Sequence, residues 1–370
     1  MGMWPFQERK RFSSLIYLDI AMICGILLMV MKLITDKFDL DSVIDLLPTL
    51  TVLLTIQGNS LNLRFRFKMF CDLWLRIKND WNEARIEEES KIKHFYAKRS
   101  QTITFCVFIA IIGETISLLI VNTFYSKILD IFFPVNETRR PKLYVEVEAF
   151  LDHDKYFYVY ACFVNIIIIS CLFLFAVHFS LFQVFFLHVC GMFSILGYRM
   201  QHAISKETLE QLDKSDLNEI YYQTIILYIE RYKNAVKFVK QLESYFAPIF
   251  ILGLTLSITM FAPSFYKLSN PKMDSIKPVF DLIFGLSYAL ISSVFGQILI
   301  NITAELSNNI YCSHWERCSV SVQKVLPLII NATGKQVEFT GIKLYRLSLP
   351  FFRMMLHVAV SYYLVLKQFG

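Results

Sequence analysis

Charge is scarce in this chain. Asp, Glu, Lys and Arg make up 18% of its 370 residues, whereas 55% are apolar and 34 are Phe. A typical soluble domain carries about 25% charged residues, so a single water-soluble core is excluded. There is no internal repeat, no low-complexity tract and no long Pro/Gly/Ser linker, which leaves one continuous unit. A Gly-rich phosphate loop, a Gly-x-Ser-x-Gly elbow and a His-Glu-x-x-His pair are all missing, so nothing points to an enzyme or to a cofactor. The eight cysteines fall in apolar runs or in segments expected inside the cell, and no disulfide framework is expected. Cys312-Ser313-His314 with Cys318 lacks a fourth ligand at any standard spacing, and no metal site is expected. A net charge of +6 does not imply nucleic acid, because the basic residues are scattered beside apolar segments and form no basic and aromatic stripe.

What the chain has instead is apolar runs of the length that a hydrocarbon core about 30 Å thick demands, about 20 residues each. They cover 15–34, 43–63, 103–125, 157–182, 246–266, 279–303 and 347–369. Seven such runs predict an all-α polytopic membrane protein. The charged start, Glu8-Arg9-Lys10-Arg11, leads into a run too long for a cleaved signal, so a signal anchor is expected. With the N-terminus inside, cytosolic segments carry 25 Lys and Arg and outer loops 9. That bias predicts a cytosolic N-terminus and, after seven spans, an extracellular C-terminus. This is the inverse of a G-protein-coupled receptor, and no Asp/Glu-Arg-Tyr triplet follows the third span. The sequon Asn136-Glu137-Thr138 lies in the longest outer loop, where glycosylation is expected.

Two stretches predict a structured cytosolic side. Residues 156–198 are almost wholly apolar and as one helix would run roughly 65 Å, twice the bilayer core. Phe185, Phe186, Phe193 and Leu196 must therefore pack against other helices outside the membrane. Residues 217–246 place apolar side chains mostly three and four apart, which predicts an amphipathic helix entering the fifth span. A third stretch, 309–330, is of the same kind. The expected organisation is 1–182 for spans one to four, 183–245 for cytosolic helix extensions, 246–303 for spans five and six, 304–346 for a cytosolic anchor, and 347–370 for the last span.

Asp19, Gln57, Asn59, Glu114, His178, Gln297, Arg353 and His357 fall inside the runs. Polar groups in hydrocarbon are costly, so each is expected to meet a partner helix, a cavity or the interface. In the last run, Val365, Gln368 and Phe369 share one face near the outer surface. Copies meeting at a symmetry axis would turn that face into a ring able to filter and gate; alternatively it is ordinary bundle packing.

The C-terminal third resembles the insect odorant receptors. The resemblance is carried by Leu242-Glu243-Ser244-Tyr245-Phe246, by Tyr311 and Trp315 in Ile310-Tyr311-Cys312-Ser313-His314-Trp315, by Leu347-Ser348-Leu349-Pro350-Phe351-Phe352, and by the ending from Ser361-Tyr362 to Phe369. The first 200 residues share only the span layout. The related gustatory receptors end similarly, but Ser361 and Lys367 depart from their Thr-Tyr pattern. The resemblance implies a tetrameric, ligand-gated, non-selective cation channel in the plasma membrane of sensory neurons. A tuning subunit is expected to assemble with a shared co-receptor subunit, since this chain lacks the co-receptor's long loop insertion. It implies a hydrophobic gate at Val365 and Phe369, a polar pore ring at Gln368, and an apolar pocket for a small volatile between spans two, three, four and six. Candidate pocket residues are Ala110, Gly113 and Ser117 on the third span with Phe280, Phe284 and Tyr288 on the sixth. A gustatory channel and a G-protein-coupled receptor are the alternatives.

Overall fold

The computed structural model describes residues 13–83, 86–132, 143–148, 152–202, 214–269, 276–313, 315–317, 320–341 and 345–369. Among them the chain forms nine α-helices, one 3-10 turn and a two-stranded ribbon. The sequon residue Asn136, together with His314, Cys318 and Gly370, lies outside the described residues.

Helices α1 (Ser13–Thr35) and α2 (Leu40–Phe65) form a hairpin. Its turn takes Lys37 and Phe38 into the left-handed region, φ 53° and 55°, and the Phe38 N–H reaches back to the Leu33 carbonyl at 2.9 Å. That bond closes the helix end in the Schellman manner. After a break at Arg66, α3 (Phe67–Asn82) buries Phe70, Leu73 and Ile77, a face of three- and four-residue steps.

Three helices are far longer than a bilayer requires: α4 (Glu87–Phe132), α5 (His153–Gln201) and α6 (Lys214–Ser269) have 46, 49 and 56 residues. α4 is kinked at Phe124 and α5 at Tyr156; at 1.5 Å per residue the uninterrupted parts run about 55 to 85 Å, close to twice the hydrocarbon core or more. The chain then forms α7 (Ile276–Tyr311), α8 (Val320–Thr333), the ribbon β1 (Thr340–Gly341) with β2 (Tyr345–Arg346), and α9 (Leu349–Phe369). Five helices, α1, α4, α5, α6 and α7, contain stretches long and apolar enough to cross a membrane. The other two runs read from the sequence are α2, which carries Asp41, Asp45 and Arg64, and α9, whose apolar stretch is 17 residues.

Two cores lie in succession along α5. The first joins α1, α2, α4 and the N-terminal half of α5, and segment 143–147. The second joins the C-terminal half of α5 to α3, α6, α7, α8 and the ribbon, and it is aromatic. Phe185, Phe186 and Phe193 are fully buried there, with Phe182 edge-on to Phe246 at 5.2 Å and Phe250 against Phe339 at 5.4 Å. Such tilted pairs add about 0.5–1.5 kcal/mol each beyond burial. The face of α6 packed here is Tyr221, Ile225, Tyr228, Phe238, Val239, Leu242 and Phe246, whereas Ile220 and Leu227, expected on the same face, are exposed.

Candidate ligand cavity

The first core is not filled. Where α1, α2, α4, α5, α6 and α7 converge, a cavity of about 80 Å³ remains, several times the ~10–15 Å³ that a single water needs. Helix α5 supplies one wall with Val164, Ile167, Ile168, Cys171 and Leu172, whose three- and four-residue steps put them on one face. Phe280, Asp281 and Phe284 of α7 stand opposite; Val52 and Leu53 of α2, Glu114 and Leu118 of α4, Met29 and Met260 complete the wall.

Segment 143–148 closes one end. Tyr144, Val145 and Val147 are buried and line the cavity. Asn122 of α4 holds the segment: its Oδ1 accepts the Tyr144 N–H at 3.1 Å, and its Nδ2 donates to Asn165 Oδ1 of α5 at 2.7 Å. A charged collar surrounds this end. Lys267 pairs with Asp45, Lys277 donates to the Asp45 carbonyl at 2.5 Å, and Lys32 bridges Asp36 at 3.3 Å and Glu146 at 3.7 Å. Asp281 lies within electrostatic reach of Lys277 and Lys267 and hydrogen-bonds the Tyr144 hydroxyl. Glu114 differs, for among the described residues no hydrogen bond or ion pair reaches its carboxyl.

Of the six candidate pocket residues, Phe280 and Phe284 lie on the cavity wall. Ala110, Gly113 and Ser117 do not: all three are exposed, a Cβ on Gly113 would meet nothing within 4 Å, and the Ser117 hydroxyl donates to the Gly113 carbonyl of its own helix at 2.9 Å. The inward face of α4 is Ile111, Leu118 and Val121, with Glu114 between them. Tyr288 sits one helical turn beyond Phe284. It touches Phe175 at 5.9 Å, which in turn touches Phe284 at 4.9 Å, and it lines a small second cleft with Tyr345, Phe351 and Met355.

That cleft leads to α9. Met355 and Ala359 of α9 pack on Phe261 of α6 and Ala289 of α7, and Phe261 directly follows the cavity residue Met260. The opposite face of α9, with His357, Ser361, Val365 and Gln368, is uncovered. Phe369 ends the helix, and its side chain lies outside the described residues.

The family model for the 7tm odorant receptor matches residues 42–360. The chain belongs to the odorant receptor family. The family is one of membrane receptors and not of enzymes. Similar proteins include the odorant receptor coreceptor of Anopheles gambiae, 23% identical over 154 residues, which cover 40% of this receptor and 32% of that one. Odorant receptor 13a of Drosophila melanogaster is 22% identical over 225 residues, 57% of this receptor and 52% of that one. The matches thus span about a third to a half of these relatives' length. The fold of the whole receptor is similar to that of the olfactory receptor OR5 from Machilis hrabei in complex with eugenol: TM-score 0.78, 14% identity, 100% of this chain and 95% of that one. A second structure of OR5 from Machilis hrabei superposes with a TM-score of 0.77.

Two parts of the receptor's cavity escaped the sequence. Segment 143–148 reads as ordinary loop, and its one signal is the apolar alternation Leu143, Val145, Val147 between charged residues. Glu114 registered only as a polar residue within a span. Of the other such residues, Asp19 pairs with Arg64 across α1 and α2, the His178 ring contacts the Leu174 carbonyl at 2.7 Å, and Gln297 Oε1 accepts the Leu349 N–H at 3.4 Å where α9 begins.

Proposed function

We propose that this odorant receptor is a tuning subunit of a tetrameric, ligand-gated, non-selective cation channel, assembled with a co-receptor subunit in the plasma membrane of sensory neurons. Its N-terminus is cytosolic and its C-terminus extracellular, and a small, mainly apolar volatile bound in the cavity opens the pore. The observation that carries this reading is the adjacency on α6: Met260 lines the cavity while Phe261, the next residue, is fully buried against Met355 and Ala359 of α9. An occupant that spreads the cavity moves α6 and with it the root of α9. The uncovered face of α9, with Val365 and Gln368, then lines the pore, with Phe369 at the end of that helix completing the gate. Similarity to a receptor whose structure holds eugenol supports a volatile as occupant.

The energetics are adequate. Driving a gate from mostly shut to mostly open takes about 5.5 kcal/mol of differential affinity, and each buried methylene contributes about 0.8 kcal/mol. A seven-carbon ligand buried only in the open arrangement, or smaller ligands in several subunits, therefore suffices. Leu118→Trp, which fills the cavity from α4, tests the site. Cells displaying this variant at the wild-type level should lose volatile-evoked current; an unchanged response would remove the cavity from the mechanism.

A further inference from the structure

The cavity is apolar except for a few groups, and those are not equivalent. Asp281 has partners, with Lys277 and Lys267 within electrostatic reach and a hydrogen bond from the Tyr144 hydroxyl. Lys277 and Lys267 also reach Asp45, so the collar is a closed network of both signs. Glu114 stands apart from it, on α4, one turn before Leu118 in a wall that is mostly hydrocarbon, with the Cys171 thiol of α5 within its electrostatic reach. Among the described residues it has no hydrogen bond and no ion pair. Charge placed in such surroundings costs several kcal/mol unless a partner arrives. The missing partner is a hydrogen-bond donor that can carry positive charge and whose remainder is hydrocarbon.

We infer that the cavity selects small alkyl or aralkyl amines, with Glu114 receiving the amine N–H while Phe280, Phe284 and Ile168 enclose the hydrocarbon. This rests on the cavity being the ligand site proposed above. The proton inventory closes either way: an ammonium meeting the carboxylate and a free amine meeting the carboxylic acid contain the same atoms, and one proton shared along N–H···O holds the pair. An alcohol or an aldehyde can accept from the carboxylic acid but brings no charge to the carboxylate, so each holds Glu114 through a weaker, uncharged hydrogen bond.

The test uses hexylamine, hexanol and hexanal on the full-length receptor expressed with a co-receptor subunit, with surface display quantified in every sample. Wild type should respond to hexylamine at about tenfold lower concentration than to hexanol, the size of one charge-assisted hydrogen bond. Glu114→Gln, isosteric and uncharged, should bring the three probes within about threefold of one another, chiefly by weakening the hexylamine response. Equal responses in wild type, a preference for hexanal, an amine preference that survives Glu114→Gln, or silence to hexylamine from receptor at the surface would each overturn the amine assignment. Leu118→Trp separates this from failure of the site itself. If it abolishes responses to every probe that acts on wild type, the cavity stands whatever its chemistry; if it abolishes none, the cavity and the amine assignment fall together.

Discussion

Gly296 and Gly113 make opposite demands. A Cβ on Gly296 would overlap the Leu347 carbonyl; backbone cannot swing aside as a side chain can, so α7 meets the start of α9 only through a glycine. Gly113 faces open space. Gly296→Ala should abolish surface display, whereas Gly113→Ala should match wild type in both display and ligand response; normal display of Gly296→Ala would mean that α9 is seated differently. Asn122 is the second critical single residue. It is fully buried and ties segment 143–148 to α4 and α5. Asn122→Ala leaves the Tyr144 N–H without its acceptor, at a cost of about 1–3 kcal/mol. The purified variant should therefore unfold at lower temperature. An unshifted unfolding midpoint for Asn122→Ala would show that the segment is held by packing alone.

At the scale of elements, the long helices are pinned at their ends. Arg199, in the last turn of α5, forks onto the carboxylate of Glu89 in the first turn of α4 through Nε and through Nη2, the latter at 2.6 Å. Glu89 is 1% exposed, so Arg199→Met strands a buried carboxylate and should cost about 3–5 kcal/mol. Adding Glu89→Gln should restore part of that loss, and a double variant less stable than Arg199→Met would refute the pairing. Helix existence was legible in the sequence because apolar runs of this length have few other fates. Helix faces were less so, and α4 illustrates the reason. From 103 to 121 it is apolar all round, since its outer face meets lipid and its inner face meets protein, and both favour the same side chains. Exposed Ile109, Ile112 and Ile116 look like buried Ile111 and Leu118. The small residues Ala110, Gly113 and Ser117 therefore fall on the exposed side of α4, whereas Glu114 lines the cavity. On α7 two aromatics four apart, Phe280 and Phe284, stand out from smaller neighbours and were legible.

Across the whole molecule, the two cores divide the labour. The aromatic core around Phe182, Phe246 and Phe339 interlocks its rings edge to face and suits a rigid base, while the core enclosing the cavity retains apolar space that a ligand can use. The link between cavity and α9 needs tertiary contacts that no periodicity encodes: Met260 and Phe261 are neighbours in sequence but face different helices. Phe261→Ala removes the contact with Met355 and Ala359 without touching the cavity wall. Ligand should still stabilise that variant against heat, while evoked current falls well below the wild-type level; a wild-type current would place the coupling elsewhere. The central claim, that ligand opens a pore lined by the outer half of α9, is tested most directly by adding a charged, membrane-impermeant thiol reagent outside cells expressing Val365→Cys with a co-receptor subunit. The account expects irreversible block of the evoked current, fast while ligand is present and slow without it, and no block in the wild type. A current that persists unaltered after Val365→Cys has been labelled would contradict it.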